Sequence, residues 1–361
     1  MTGVARIITA LVEHMKRDGR LRFHILGVKG SASHWRDQAG LSFVQAGSRI
    51  GPSAGRRLIF EQHGLRRIIA QLRPDVYWAT WDYGVPWRSP CPTVLTVHDL
   101  IPLRHAAGRW TWDAVAYKLS VRLSIDGANA IVTDSEATRA ELVERYRVRH
   151  ERTTVIPPGI GQEFQPDPGP ADQQFGDGPF ALYVGGYAPR KNFHSLLLAI
   201  ESLLQSNRLG ELRLVATGSE AKLDEESRAV YARLKPHSVV RFAGNVPNEV
   251  LPSLYRQARV FIFPSLAEGF GFPPLEAMAS GVPVICGQSD SLPEVVGSAA
   301  HFVDVRSPRE IAAAIARIVE SPSYAEQLRS AGLDQAAKFR WSGSAARMAT
   351  VLLETAHRRR N

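Results

Sequence analysis

The stretch Pro264-Ser265-Leu266-Ala267-Glu268-Gly269-Phe270-Gly271-Phe272-Pro273-Pro274-Leu275-Glu276 decides how this chain is read, because the apolar run Val260-Phe261-Ile262-Phe263 leads into it and a helix leads out. The run reads as a buried strand end. Pro273 or Pro274 suits the first turn of a helix, where a missing N–H costs nothing, and Glu276 to Ser280 continue the helix until Gly281 stops it. The loop Gly269-Phe270-Gly271 thus presents backbone N–H groups at a positive helix end, a place that suits a diphosphate. Glu268 and Glu276 flank it, and carboxylates repelled by an anion serve better as acceptors for hydroxyls, a ribose on one flank and a hexose on the other. By spacing alone an ordinary loop fits equally well, with both glutamates solvated or capping the helix.

Outward from this stretch, apolar β-branched runs alternate with helix-period segments along the whole chain, which argues for an α/β fold with parallel sheets. Strands are expected at 22–28, 41–46, 75–79, 93–98, 130–133 and 153–156, then at 180–184, 212–216, 239–242, 260–263, 283–286 and 300–303. Between the two sets, Pro and Gly crowd the segment from Pro157 to Pro179. This composition marks a linker. The expected organisation is a first Rossmann-like domain over 1–158, a linker over 159–179 and a second Rossmann-like domain over 180–340. A length of 361 residues suits two such domains.

Ligands of open α/β sheets bind outside the carboxyl ends of strands, so the residues at those ends are the candidates. After Phe180-Ala181-Leu182-Tyr183-Val184 comes Gly185-Gly186-Tyr187-Ala188-Pro189-Arg190-Lys191-Asn192. Gly185 and Gly186 allow close backbone approach to a ligand, and Arg190 and Lys191 beside a diphosphate would neutralise the charge that grows on it as a glycosidic bond breaks. Thr217, and the turn Gly244-Asn245-Val246, follow two further strands. In the first half, Thr93-Val94-Leu95-Thr96-Val97 ends in His98-Asp99-Leu100-Ile101-Pro102. The segment Tyr77-Trp78-Ala79-Thr80-Trp81-Asp82-Tyr83-Gly84-Val85-Pro86-Trp87 adds aromatic faces suited to sugar rings, with Trp81 and Tyr83 in its loop.

The run from Ser265 through Glu268, Gly269, Phe270, Gly271 and Glu276 to Ile285 resembles the donor-site signature of retaining glycosyltransferases of the GT-B fold, family 4. The resemblance implies two doubly wound domains facing a cleft, with a last helix, 341–358, crossing back to the first domain. It implies that Glu276 binds the donor ribose and Glu268 the hexose, that Arg190 and Lys191 contact the diphosphate, that Gly244-Asn245-Val246 lies near the base, and that His98 lies against the transferred sugar. The acceptor side is expected at Gly3, Asp99, Trp81 and Tyr83. The pairing of His-Asp-Leu-Ile-Pro with Glu-Gly-Phe-Gly-Phe-Pro-Pro-Leu-Glu looks like bacterial mannosyl- and rhamnosyltransferases of O-antigen or exopolysaccharide assembly, which implies GDP-mannose as donor and a lipid-linked glycan as acceptor. A UDP-sugar or GDP-rhamnose donor, a non-catalytic nucleotide-sugar-binding protein and a GT-B epimerase remain as alternatives.

Other features narrow the class. No Asp-x-Asp dyad occurs, so a metal-free reaction without cofactor is expected. Residues 1–170 hold 23 Lys and Arg against 16 Asp and Glu, most of the net charge of +9. No zinc-finger spacing, aromatic RNA-binding signature or long basic run accompanies this excess, so nucleic acid is not an expected partner, and an anionic membrane surface or a lipid diphosphate fits better. Arg56, Arg57, Arg66, Arg67 and Arg73 line a helix expected over 56–73, with a wet basic face. Two cysteines without metal-ligand spacing, and no run of about 18 apolar residues, fit a cytoplasmic protein that is at most peripheral on a membrane. One departure from the family pattern stands out. An apolar strand ordinarily precedes the turn that Thr2-Gly3-Val4-Ala5-Arg6 resembles, and here that first strand is missing.

Overall fold

The computed structural model describes residues 3–27, 41–45, 53–105, 111–166 and 178–357. The chain divides into two units, Met1–Gly159 with Arg340–Asn361, and Ile160–Phe339.

Unit 1 opens with α1 (Gly3–Met15), which buries Ile7, Leu11, Val12 and Met15 at helical spacing. Next come β1 (Phe23–Gly27), β2 (Leu41–Gln45), α2 (Ala54–Ile59), a π-helical turn (Phe60–Leu65) and α3 (Arg66–Leu72). The π-turn faces Glu61 inward, where it is 3 % exposed and accepts a hydrogen bond from Ser120. One basic residue of this helix departs from the expected wet face. Arg57 lies 3.9 Å over the Tyr83 ring and pairs with Glu61, because an arginine can stack and bridge at once; Arg73 is a left-handed residue closing α3. The unit continues through β3 (Tyr77–Ala79), β4 (Thr93–Val97), α4 (Ile101–His105), α5 (Trp112–Gly127), β5 (Ala130–Thr133), α6 (Glu136–Tyr146) and β6 (Thr153–Val155). Ser135 caps α6 by accepting from the Thr138 amide. The strands form two parallel pieces, β1-β2 and β3-β4-β5-β6.

Unit 2 begins earlier than the linker composition suggests. Ile160 donates its amide to the Phe339 carbonyl and Phe164 is buried against Tyr255, so residues 160–166 pack as part of this unit. An apolar side chain in a Pro/Gly-rich segment is enough to anchor it. Residues 167–177 of the expected linker lie outside the described residues. The unit then runs through β7 (Phe180–Tyr183), α7 (Phe193–Gln205), β8 (Arg213–Ala216), α8 (Glu225–Leu234), β9 (Val240–Phe242), α9 (Leu251–Gln257), β10 (Val260–Phe263), α10 (Phe272–Ala279), β11 (Val284–Cys286), α11 (Leu292–Val296), β12 (His301–Phe302), α12 (Pro308–Glu320) and α13 (Pro322–Ala336). Its six strands form one parallel sheet in the order β12-β11-β10-β7-β8-β9.

Both faces of this sheet are covered. Ala181, Tyr183, Val260 and Ile262 enter one core with Leu196 and Ile311, while Phe180, Leu182, Phe261 and Phe263 enter the other with Leu254 and Leu275. Period-2 alternation thus feeds two apolar layers, which is why β7 and β10 read as continuous apolar runs. The last helix, α14 (Trp341–His357), belongs to unit 1 and packs against α1 and β4. Its start is tied down by Ser344, which donates to the Pro157 carbonyl at 2.6 Å. Gly159 sits so close to the backbone of Trp341 that a Cβ there would come within 2.2 Å of its amide nitrogen.

Candidate active site

In unit 2 the carboxyl ends of β7 and β10 bring together residues 75 or more apart in sequence. The Pro189–Lys191 turn follows β7, and the loop after β10 docks on it through the Leu266 amide, which donates to the Arg190 carbonyl at 2.7 Å. That main-chain contact fixes where the two cations project. Lys191 Nζ lies 2.6 Å from Glu268 Oε1, and the Arg190 guanidinium lies 3.3 Å from Glu268 Oε2 and donates to the Ala267 carbonyl at 3.0 Å. Ser265 also donates to Glu268. The Glu268 amide in turn donates to Asp290 at 3.1 Å, and Ser291 holds the Glu268 and Phe270 carbonyls at 3.0 and 2.9 Å. Held from both sides, the loop keeps one main-chain geometry, and its two cations share the Glu268 carboxylate as their partner.

Gly271 caps α10 with φ 108°, a conformation glycine adopts without strain, and two prolines follow in the first turn. Glu276 lies inside that helix, 1 % exposed, with its Oε2 accepting from the Tyr255 hydroxyl at 2.9 Å. Gly185 donates to the Thr217 hydroxyl at 3.2 Å, so Thr217 ties the ends of β7 and β8 together. A Cβ on Gly186 would meet nothing within 4 Å. Gly244, at φ 70°, forms an isolated antiparallel bridge with Gly218 that sets the turn carrying Asn245 and Val246.

In unit 1 the sequence candidates gather around His98, which is 8 % exposed at the end of β4. Its Nδ1 lies 2.7 Å from Asp134 Oδ2 and its Nε2 lies 3.0 Å from the Thr80 carbonyl. A carboxylate and a carbonyl can only accept, so both ring nitrogens donate and the ring is an imidazolium. Burial works against that charge, but the Asp134 carboxylate, its hydrogen bond and the Thr80 carbonyl outweigh it and raise the histidine above its ordinary value. The Trp81 ring stands edge-on to His98 at 6.3 Å and stacks with Tyr83 at 6.1 Å. The Asp99 Oδ1 accepts the Ile101 amide at 3.0 Å, a local turn at the entry to α4. Gly3 is the first residue of α1.

Sequence reasoning overlooks Asp134, Asp82, Tyr117 and Glu61 as members of this cluster. Tyr117 donates to Asp82, whose carboxyl burial pushes up to about 6, with the charge of Asp99 adding to the shift and the Tyr117 hydroxyl and His98 opposing it. Asp134 follows β5 as His98 follows β4, so the strand-end rule alone marks it. The others come from a helix, a loop and a π-turn and share no local spacing. Among the described residues no helix is long and apolar enough to cross a membrane.

The family described as "Glycosyl transferases group 1" matches residues 170–335, and "Glycosyltransferase Family 4" matches residues 1–164. The O-antigen chain mannosyltransferase B of Escherichia coli is 35% identical over 237 residues, 63% of this chain and 62% of that protein. The chain therefore spans less than two thirds of the length of that relative. A D-inositol 3-phosphate glycosyltransferase of Thermobispora bispora is 30% identical over 302 residues, 78% of this chain and 70% of that protein. Among solved structures, Anabaena HepE in complex with UDP-glucose superposes with a TM-score of 0.77 at 18% identity, covering 98% of this chain and 96% of that one.

Proposed function

The chain belongs to the group 1, family 4 glycosyltransferases, and from that premise we propose that it moves a hexose, mannose from GDP-mannose, onto a hydroxyl of a growing lipid-linked glycan. The observation that carries this reading is the convergence of Arg190, Lys191 and Glu268 at the carboxyl ends of β7 and β10, beside the glycine loop that opens α10. Relatives named as mannosyltransferases support the sugar.

The proposed reaction retains anomeric configuration and needs no metal. The bond from the anomeric carbon to the diphosphate oxygen breaks, the acceptor oxygen bonds to the same face of that carbon, and the acceptor's proton goes to the leaving phosphate oxygen. Arg190 and Lys191 neutralise the charge that accumulates on the diphosphate, which is the work a metal ion does where an Asp-x-Asp dyad holds one. Glu268 exchanges its hold on the cations for hydroxyls of the hexose, Glu276 receives the ribose, and the His98 imidazolium positions the transferred sugar and stabilises its charge.

A peripheral seat on an anionic membrane is part of this reading. Ile59 on α2 and Trp112, Val115 and Leu119 on α5 are 64, 72, 38 and 46 % exposed, with Arg56, Lys118 and Arg122 on the same two helices. Trp112 lies over Gly55, one turn from Ile59, so the apolar groups of the two helices are neighbours. An exposed tryptophan with aliphatics and arginines suits an interface of acyl chains and anionic headgroups.

A transfer assay read by mass spectrometry, with GDP-mannose, GDP-rhamnose and UDP-sugars over a lipid-linked glycan acceptor, tests the proposal. Mannose addition from GDP-mannose supports it. Addition only from a UDP-sugar, in line with the UDP-glucose complex of HepE, would replace the donor and leave the reaction class standing. No transfer from any of these donors, with nucleotide still bound, would reduce the protein to a nucleotide-sugar-binding one.

A further inference from the structure

β10 and β11 are neighbours in the sheet of unit 2, so the loops at their carboxyl ends meet. Three successive side chains after β11 hold the main chain of the Ser265–Gly271 loop. The Ser289 hydroxyl donates to the Ser265 carbonyl at 3.1 Å, and Asp290 Oδ2 accepts the Glu268 amide at 3.1 Å. The Ser291 hydroxyl is shared between the Glu268 and Phe270 carbonyls at 3.0 and 2.9 Å. Leu292 closes the seam, because a Cβ on Gly271 would come within 2.6 Å of its Cδ2. Ser265 and Ser291 are fully buried, so these bonds are shielded from water.

The Ser291 contacts have a directional consequence. Among the described residues no peptide bond is cis, and in a trans peptide the N–H points away from the C=O of the same plane. The Glu268 carbonyl shares its plane with the Gly269 amide, and the Phe270 carbonyl shares its plane with the Gly271 amide. Turning both carbonyls toward one hydroxyl therefore turns both amides to the opposite side of the loop. Among the described residues neither amide donates to a protein group. Two N–H groups set in this way at the entry to α10 are ready for an acceptor that the protein does not supply.

Asp290 acts on the neighbouring residue. Its backbone is left-handed at φ 45°, a conformation that Asp and Asn tolerate better than other side chains, and from there its carboxylate takes the Glu268 amide. With its amide on Asp290 and its carbonyl on Ser291, Glu268 has both main-chain groups pinned. Its carboxylate thus reaches Lys191, Arg190 and Ser265 from a fixed Cα.

We propose that Asp290 and Ser291 are positioning residues for sugar transfer: Ser291 aims the Gly269 and Gly271 amides at the donor diphosphate, and Asp290 sets Glu268 for the hexose. The proposal rests on the reading of this loop as the seat of a nucleotide sugar, and adds that the seat is preset by the loop of the adjacent strand. Donors fixed in advance cost no reorganisation when charge develops on the leaving group. Displacing an aligned group by 1 Å lowers a rate by up to about 10²-fold.

Ser291→Ala, Asp290→Gly and Asp290→Asn are compared with the wild type by calorimetry, using GDP with GDP-mannose and UDP with UDP-glucose, by steady-state transfer, and by melting. Ser291→Ala is expected to weaken the nucleoside diphosphate at least about tenfold. Asp290→Gly keeps the backbone conformation and removes the acceptor. It should weaken the nucleotide sugar about tenfold more than the nucleoside diphosphate, and lower kcat, with melting little changed. Asp290→Asn keeps an acceptor oxygen and a residue suited to the left-handed backbone, so it should recover most of that loss. Should Ser291→Ala not fold, the two Asp290 variants decide. Wild-type affinities in the variants would overturn the proposal, as would a loss in Asp290→Asn equal to that in Asp290→Gly. Equal weakening of both ligands alongside lowered melting would also overturn it, leaving the contacts as a structural staple only. Failure confined to the variants leaves the nucleotide-sugar seat standing, whereas a wild type that binds neither pair of ligands removes the seat and this proposal together.

Discussion

The two candidate sites are built on opposite plans. In unit 2 the cations Arg190 and Lys191 and the carboxylate Glu268 are held by two short loops on the rim of an unbroken six-stranded sheet. In unit 1 a cationic histidine is buried between Asp134 and the Thr80 carbonyl, in a network that also draws on the π-turn and α5, and the sheet beneath is divided. The first arrangement offers charge to an incoming anion. The second fixes one polar ring in a place from which water is largely excluded, so its energetics depend on partners that never leave it.

The largest expected difference between them is catalytic. Lys191→Ala or Arg190→Ala should lower the transfer rate by about 10²–10³-fold, the usual cost of removing a group that stabilises developing charge. His98→Gln should lower it less, because positioning and not the main charge is lost. Steady-state rates on the transferred product check both. A larger loss at His98 than at Lys191 would reverse the proposed division of labour.

The next effect is on stability against pH and belongs to unit 1. A carboxyl at about 6 in the fold and 3.8 ordinarily keeps a proton in the native state that the unfolded chain has lost. Asp82 therefore stabilises the fold fully below its unfolded value, and that stabilisation disappears as pH rises through about 6. The shift corresponds to about 3 kcal/mol. His98, raised as well, adds a contribution in the same direction, present below its ordinary value of 6.5 and lost as pH passes its higher native value. Denaturant unfolding from pH 4 to 8 should show the decline, and Asp82→Asn should flatten it.

A smaller effect separates position from charge at His98. Asp134→Asn keeps a hydrogen-bonding group but removes the carboxylate, so the histidine should titrate lower, by NMR of the ring protons. An unchanged titration would mean that Asp134 is not what keeps the ring charged. The smallest structural effect belongs to unit 2. Gly186→Ala finds open space, so melting should move by less than about 1 °C while nucleotide affinity falls, if the backbone there approaches the ligand.

Legibility in the sequence follows the same division. The strands of the described residues fall in the expected segments because each is a short run of β-formers bounded by turn residues, and β7 and β10 are plain because both their faces are buried. The unit 2 site is readable because its parts are contiguous, with Gly185 to Asn192 in one stretch and Ser265 to Glu276 in another. The unit 1 network is not, apart from His98, Trp81 and Tyr83 and, by its place after β5, Asp134. Glu61 points inward only because a π-turn shifts the helical register at Phe60–Leu65, and the pairing of Tyr117 with Asp82 joins α5 to a loop 35 residues away. The place of Asp99 beside His98 suggests the acceptor side, and its carboxylate also accepts the Ile101 amide at the entry to α4, a contact local spacing permits equally.

Most of this account depends on unit 2 holding a nucleoside diphosphate on Arg190 and Lys191. Calorimetric titration of GDP and of UDP into the wild-type chain and into Arg190→Ala and Lys191→Ala tests it without reliance on acceptor or product. Binding of at least one nucleotide to the wild type, weakened about tenfold or more in each variant, is the predicted result. Equal binding by wild type and both variants would contradict it.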